Sequence, residues 1–196
     1  MTGVRLETTP DGEPHFCESC VYAKATHKPV AKAREGEHAT KFGGEIHSNL
    51  WGLAPVAMKA GKCYYFTCTD DKTRLTHLNL LHNKNDAFDA YMDFEAWCDM
   101  HLDAQVKILH SDCGGEYLGK EFTLYLKLRG TAQKLTVHDT PQHNGVAERH
   151  NCTIVEQICA LLHLSRLPKN LWGEAARHIV WLINCMSTKA VDGMTP

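Results

Sequence analysis

An α/β fold with a mixed five-stranded sheet flanked by helices is predicted by three features of this 196-residue sequence. Three β-rich segments follow one another, helical patterns then alternate with short strands, and two helical segments occupy the C-terminal part. Hydrophobic residues make up 43% of the chain, which is enough for a packed core of one domain.

The strand predictions rest on β-forming residues bounded by turn residues. Segments 44–51, 62–69 and 75–81 are predicted strands, with a turn at 70–72 between the last two. Further along, residues 106–109 and 133–137 are predicted to be short strands, and the first of these ends shortly before Asp112.

The helix predictions rest on apolar residues at helical spacing. Residues 84–101 carry an apolar stripe that consists of Ala87, Tyr91, Phe94 and Cys98. The remaining predicted helices are 117–129, 145–164 with Asn144 as its N-cap, and one after Pro168.

Charge and composition narrow the function classes. The net charge is −2 and the pI is about 6.7, so the basic excess of a strong free-standing DNA-binding domain is missing. The sequence contains no stretch of 18 apolar residues, and the polar N-terminus has no signal-peptide core, so we expect neither membrane insertion nor secretion. Most of its nine cysteines are therefore expected to be reduced, buried or half-buried thiols.

Two acidic residues, Asp112 and Glu148, lie in distinctive motifs with 35 residues between them. Asp112 belongs to HSDCGGEY at 110–117, and Glu148 belongs to TPQHNGVAERHN at 140–151. Acids at strand ends and helix starts can hold two divalent metal ions for phosphoryl transfer. On the predicted helix, Glu148 falls in register with the apolar stripe Cys152, Val155, Cys159 and Leu162, so we expect its side chain to face the sheet.

These motifs resemble the integrase catalytic core of copia-type LTR retrotransposon Pol polyproteins, in the retroviral integrase superfamily. The resemblance covers about four fifths of the chain and includes further motifs in the same order. These are EIHSNLWGLAP at 45–55, TCTDDKTR at 67–74, LPKNLWGEAA at 167–176, LIN at 182–184 and TP at 195–196. The resemblance implies an RNase H-like fold.

The resemblance also implies a metal-dependent reaction on DNA, namely 3′-end processing and strand transfer. Asp112 and Glu148 match the family's second and third catalytic acids, which hold Mg²⁺ or Mn²⁺. Asn49 occupies the place of the first, and an amide carries no negative charge. Impaired or absent catalysis is therefore expected, although Asp70 or Asp71 remains an alternative source of the missing carboxylate. For Asp70, a turn-forming role is the favoured interpretation.

The Asn-Gly motif implies DNA contacts in the family. The matching residues here are Asn144, Gly145, Arg149, His150 and Asn151. Basic residues are common in the family at the positions of His150 and Cys152, so their replacement is expected to weaken binding to DNA phosphates. Cys113 likewise replaces a common Asn.

Residues 1–40 resemble a remnant of the family's zinc finger followed by a basic linker, and residues 41–196 resemble the catalytic core. Cys17 and Cys20 form a Cys-x₂-Cys pair, but His15 is the only histidine that precedes them. A structural zinc ion needs four ligands, so we do not expect zinc to be bound there.

Three function classes follow. The first is an integrase core acting on retroelement ends and target DNA, with a homo-oligomeric state and a nuclear or cytoplasmic location implied by the resemblance. The second is a non-catalytic DNA-binding or assembly module, a relic of the first. The third is a zinc-dependent interaction module built on Cys17 and Cys20.

Overall fold

The computed structural model describes residues 38–136 and 145–196. The predicted finger remnant, with Cys17 and Cys20, and the predicted N-cap Asn144 lie outside these ranges. The division of the chain at residue 40 therefore stays a prediction. Among the described residues, every helix is too short or too polar to cross a lipid bilayer.

The sheet has the predicted five strands and mixed direction. Its strands are β1 (Ile46–Trp51), β2 (Tyr64–Asp70), β3 (Thr76–Leu81), β4 (Ile108–Ser111) and β5 (Ala132–Leu135). Their order across the sheet is β3-β2-β1-β4-β5. The β1–β2 and β2–β3 pairs are antiparallel, whereas β1–β4 and β4–β5 are parallel. The first three strands thus form a meander, and β4 and β5 extend it beyond β1.

Within residues 38–136 and 145–196, four α-helices flank the sheet. They are α1 (Ala87–Leu102), α2 (Lys120–Arg129), α3 (Gly145–Ser165) and α4 (Trp172–Cys185), and short 3-10 turns occupy Lys84–Asp86, Lys169–Leu171 and Lys189–Val191. The second helix begins three residues later than predicted. A turn precedes it, in which the Tyr117 amide donates to the Gly114 carbonyl at 3.0 Å.

Strand alternation gives the sheet two buried faces. The α1/α2 face includes Ile46, Phe66, Tyr91, Phe94 and Leu126. The α3/α4 face includes Tyr65, Leu80, Ile154, Ile158 and Trp172. The predicted α1 stripe is confirmed, because all four of its residues are buried. Neighbouring residues of β1 and β2 alternate between the two faces, as strand geometry requires.

The LPKNLWGEAA motif serves packing. Trp172 donates its indole N–H to the Val56 carbonyl at 2.8 Å. At Gly173 an added Cβ would lie 2.3 Å from Met58 Sδ, so a larger residue would require the Met58 side chain to move away from α4. These two residues fix the start of α4 against the sheet.

A buried carboxylate joins α1, α2 and the turn before β5. Glu95 is 1% exposed and accepts hydrogen bonds from Tyr125 at 2.7 Å and from Arg129 Nε at 3.0 Å. The Thr131 and Tyr91 hydroxyls also lie 3.4 Å from Glu95 Oε1. A buried charge of this kind is tolerated because it is surrounded by donors.

We predict that Arg129→Ala lowers the free energy of unfolding by about 2 kcal/mol, because it leaves the Glu95 charge buried without its cationic partner. Urea denaturation followed by circular dichroism measures this change. Lys127→Ala, at an exposed position of the same helix, is the matched control and should change stability by about 0.5 kcal/mol or less. Equal effects of the two substitutions would contradict the assignment.

Candidate metal site at the β1–β4 junction

The parallel pairing of β1 with β4 brings Asn49 and Asp112 to the same level of the sheet. Ile46 is paired with Leu109, and His47 with His110. Asn49 and Asp112 each follow two residues after this histidine pair, in the same register. Adjacent strands lie about 4.8 Å apart, so two residues 63 positions apart in sequence become neighbours.

The side chain of Asn49 belongs to the α3/α4 face. Its antiparallel partner is Thr67, whose hydroxyl donates to the Asn49 main-chain carbonyl at 3.3 Å. The Asn49 side-chain nitrogen is buried and has no hydrogen-bond partner among the described residues. An unsatisfied buried donor is costly, and a nitrogen that carries two protons has no lone pair for a metal ion.

Asp112 lies one residue past the end of β4 and is half-buried. Its Oδ1 accepts the Gly114 amide at 3.0 Å, which closes an Asx-type turn. The other carboxylate oxygen takes no part in that turn, so Asp112 retains an oxygen with which it could bind a cation.

Glu116 is a further acid near Asp112, four residues along the chain. It precedes α2, and its carboxylate folds back over Gly114, where an added Cβ would lie 2.7 Å from Glu116 Cδ. Burial raises the pKa of Tyr117 well above its usual value, and the charges of Asp112 and Glu116 add to this effect. The D-x-G-G-E spacing could have indicated this proximity of Glu116 to Asp112 from the sequence, because two glycines allow the chain to turn back on itself.

The predicted sheet-facing orientation of Glu148 is wrong. Glu148 is exposed, whereas Ala147, Ile154 and Ile158 are the buried residues of α3. The true stripe is displaced by one residue from the predicted one. The cost of burying a charge therefore gives no argument for a metal role of Glu148, and that role stays a prediction.

Glu148 nevertheless lies beside the sheet-contacting side of α3. Helix α3 contacts β1, the strand that carries Asn49. Burial raises the pKa of Cys152, one turn after Glu148, and the charges of Glu156 and Glu148 add to the rise. Burial also raises the pKa of the Tyr65 hydroxyl on β2, and the nearby Cys152 thiol adds to this rise. Glu148 thus flanks the helix surface that faces β1 and β2.

Asp70 does not take the place of Asn49. It is paired with Ile46, three residues from Asn49 along β1, which corresponds to about 10 Å. Asp70 accepts hydrogen bonds from the Gly43 amide at 2.9 Å and from the Thr73 amide at 2.7 Å. The favoured turn-forming role is therefore what the contacts of Asp70 support.

Asp71 is also engaged away from Asn49. Its carboxylate accepts the Ala39 amide at 2.8 Å, and its Oδ1 lies 3.4 Å from the Arg74 guanidinium and 3.3 Å from His47 Nε2. These contacts join the start of the described chain to the β2–β3 turn, so neither aspartate supplies a carboxylate beside Asn49.

Two of the residues predicted to contact DNA turn their side chains towards the sheet. His150 Nε2 lies 2.8 Å from the Thr76 hydroxyl, and the Asn151 side-chain oxygen accepts the Tyr65 hydroxyl. Burial lowers the pKa of His150 to about 4, and the Arg74 charge adds to the effect. A neutral, hydrogen-bonded imidazole does not replace the basic residue common in the family.

The other predicted DNA contacts differ in placement. Gly145 is the first residue of α3, Arg149 is half-buried in its first turns, and Asn144 lies outside the described residues. DNA contact by this whole group stays a prediction. Cys113, at the position of a common family Asn, donates its thiol to the Thr136 carbonyl at 3.0 Å and so joins the Asp112 turn to the end of β5.

The pKa of His150 predicts a pH-dependent stability. The unfolded imidazole has a pKa near 6.5 and the folded one about 4, so between these values the unfolded chain binds the extra proton. The contribution of His150 is complete above pH 6.5. As the pH falls from 6.5 towards 4, the free energy of unfolding decreases by up to about 1.4 kcal/mol per unit.

Urea denaturation at pH 7.5 and pH 5 measures this loss. We expect His150→Gln to lose less stability than the unaltered chain between the two pH values. Part of the dependence should remain, because burial also lowers the pKa of His47 and His77. His178→Gln, at an exposed position of α4, is the control. The same pH dependence in His150→Gln and in the unaltered chain would show that the buried imidazole does not titrate as described.

Several curated proteins are similar to the chain over most of its length. The retrovirus-related Pol polyprotein from transposon TNT 1-94 of Nicotiana tabacum is 35% identical over 168 residues, which is 86% of this chain and 12% of that protein. The Pol polyprotein from transposon RE2 of Arabidopsis thaliana is 30% identical over 77% of this chain and 10% of that protein. The one from transposon RE1 of the same plant is 27% identical over 92% of this chain and 12% of that protein. The chain thus spans about a tenth of the length of the curated relatives it matches.

A solved structure has the same fold. A chain in the cryoEM structure of the simian T-cell lymphotropic virus intasome, in complex with PP2A regulatory subunit B56 gamma, superimposes with a TM-score of 0.60. The match covers 87% of this chain and 58% of that chain at 16% identity, so it bears on the fold alone. No family model matches the sequence. From the relatives and the fold together, the chain belongs with the retrovirus-related Pol polyproteins of copia-type transposons and has the RNase H-like fold of an integrase core.

Proposed function

We propose that this chain is the catalytic core of a retrotransposon integrase whose metal site is impaired by Asn49. The observation that carries the proposal is the β1–β4 register, which sets Asn49 level with Asp112. In this family, acids at such places hold the metal ions for a reaction at DNA ends. Retroelement DNA and target DNA are therefore the proposed partners. A homo-oligomeric state and a nuclear location belong to the same proposal.

The residues fit a divalent ion only in part. Asp112 offers a carboxylate oxygen beside Asn49, and Glu148 offers another from α3. A Mg²⁺ ion at such a site would stabilise charge on the reacting phosphate oxygens. Asn49 supplies one neutral oxygen at most, and its buried nitrogen has no partner in the described part of the chain. Two carboxylates neutralise two dications poorly, so we expect weak binding of Mg²⁺ or Mn²⁺.

Apart from the metal ligands, the protein contributes to the proposed reaction by positioning side chains. Asp112 is oriented by the Gly114 amide, and the Cys113 thiol ties the same turn to β5. Arg149 is the basic side chain of α3 that remains suited to a DNA phosphate, since His150 is neutral at pH 7. The fold therefore keeps the framework of the site while one charge of the site is lost.

A second candidate function is DNA binding or assembly without catalysis. Two observations favour this second function over full catalytic activity: position 49 carries an amide, and the His150 ring is turned towards the sheet. Zinc-dependent interaction through Cys17 and Cys20 remains a third candidate, which stoichiometric zinc in the purified chain would support. Zinc there is not expected.

We predict that the unaltered chain joins DNA ends negligibly in the presence of Mg²⁺ or Mn²⁺, and that Asn49→Asp raises the rate by more than about tenfold. A restored carboxylate returns charge at the reacting phosphate, and losing even an indirect metal contact typically costs about 10–100-fold. The assay measures strand transfer of an oligonucleotide that carries a retroelement end. Asn85→Asp, the same change at an exposed position, should have no effect.

Two further measurements separate the explanations. Adding Glu148→Gln to Asn49→Asp should abolish the gain, because it removes a second ligand. Titration calorimetry should show tighter Mn²⁺ binding by Asn49→Asp than by Asn85→Asp, whether or not the joining reaction is restored. Equal joining activity in the unaltered and Asn49→Asp chains would refute the role given to Asn49, as would equal Mn²⁺ affinities of the two Asp variants.

A further inference from the structure

A second group of potential metal ligands lies at the start of β1 and in β4, ahead of Asn49 and Asp112 in the sequence. Glu45, His47 and His110 are buried, at 7%, 2% and 2% exposure, and one ligand atom from each lies within 4.8 Å of the others. His47 and His110 are paired across the β1–β4 junction, each two residues before its counterpart in the candidate catalytic site. Residues two apart in a strand face the same side, so the group lies on the α3/α4 face.

The distances between the ligand atoms suit a small ion. Glu45 Oε1 lies 2.9 Å from His110 Nδ1 and 3.9 Å from His47 Nε2. A tetrahedral zinc ion with bonds of about 2.0–2.2 Å holds neighbouring ligands roughly 3.4 Å apart. These two separations bracket that value, so small side-chain rotations would bring three ligands to tetrahedral positions, and a water molecule would take the fourth. Two histidines and a glutamate are an established donor set for zinc.

The surroundings contain groups that would support such an ion. His110 Nε2 lies 3.1 Å from the Thr136 hydroxyl, which can accept a hydrogen bond from Nε2–H and so leave the Nδ1 lone pair available for a metal ion. Asp71 Oδ1, 3.3 Å from His47 Nε2, adds a second buried carboxylate beside the first histidine.

One cation competes for the same carboxylate. Lys134 Nζ lies 3.2 Å from Glu45 Oε1, and its side chain is 48% exposed, so it can withdraw into solvent when an ion binds. Its positive charge should weaken the affinity for a metal ion without blocking the site. Removing the Lys134 charge therefore tests metal binding while leaving the three ligands intact.

We propose that Glu45, His47 and His110 form a binding site for a borderline transition-metal ion, zinc above all, separate from the Asn49–Asp112–Glu148 group. Imidazole ligands favour zinc or cobalt over magnesium, so the two sites differ in the ion they select. A bound ion would cross-link β1 to β4 at His47 and His110, two residues before Asn49 and Asp112 on each strand. The proposal does not depend on whether the chain joins DNA.

The test is Co²⁺ titration of the full chain, without an affinity tag and after chelator treatment, followed by Zn²⁺ displacement. Cys17→Ser and Cys20→Ser are introduced together as the background, so that the cysteine pair cannot provide the signal. We expect one Co²⁺ per chain with visible d–d absorption and without the intense near-ultraviolet band of thiolate ligation. Zn²⁺ should displace it.

Two variants locate the ion. His110→Asn should abolish binding, whereas the exposed His101→Asn of α1 should leave it unchanged, with circular dichroism confirming the fold of both. Lys134→Ala leaves the three ligands intact and should tighten Co²⁺ binding about fivefold, because a competing unit charge is removed. Absence of stoichiometric Co²⁺ binding in the background chain overturns the proposal. So does binding that Lys134→Ala fails to tighten, or that a folded His110→Asn chain retains.

Discussion

The parallel hydrogen bonding of β1 to β4 is the constraint on which the rest of the structure depends. It sets His47 against His110 and carries the register on to Asn49 and Asp112. A shift by one residue would send every side chain of one strand to the opposite face and separate both pairs at once. The register is held from both sides, by the Ile46 and Leu109 side chains in the α1/α2 core and by the buried polar group on the α3/α4 face.

This register explains why the proposed site is ordered although position 49 carries no acid. The polar residues beneath the site hold one another, since Glu45 binds His110 and Lys134 while Asp71 binds His47 and the Ala39 amide. None of those contacts needs a carboxylate at position 49. Loss of that charge is therefore compatible with the fold, and it leaves one buried amide nitrogen unsatisfied within the described part of the chain.

The sequence predicted those features that depend on strong periodicity. The α1 stripe and the five strands are examples, because a buried helix face and bounded β segments leave clear patterns. The orientation of α3 could not be predicted in the same way. Two adjacent stripes of that helix are both largely apolar, and tertiary contacts such as that between Tyr65 and Asn151 decide between them. The inward ring of His150 likewise depends on a partner distant in sequence, Thr76.

Anomalous diffraction from crystals of the Asn49→Asp protein grown with Mn²⁺ tests the central claim most directly, because it locates the ion without relying on activity. The β1–β4 register predicts a manganese peak within about 2.5 Å of carboxylate oxygens from both position 49 and Asp112. A peak bound by Asp112 and Glu116 without a ligand from position 49 would contradict it. It would mean that the place of the missing acid is not the one that the strand pairing assigns.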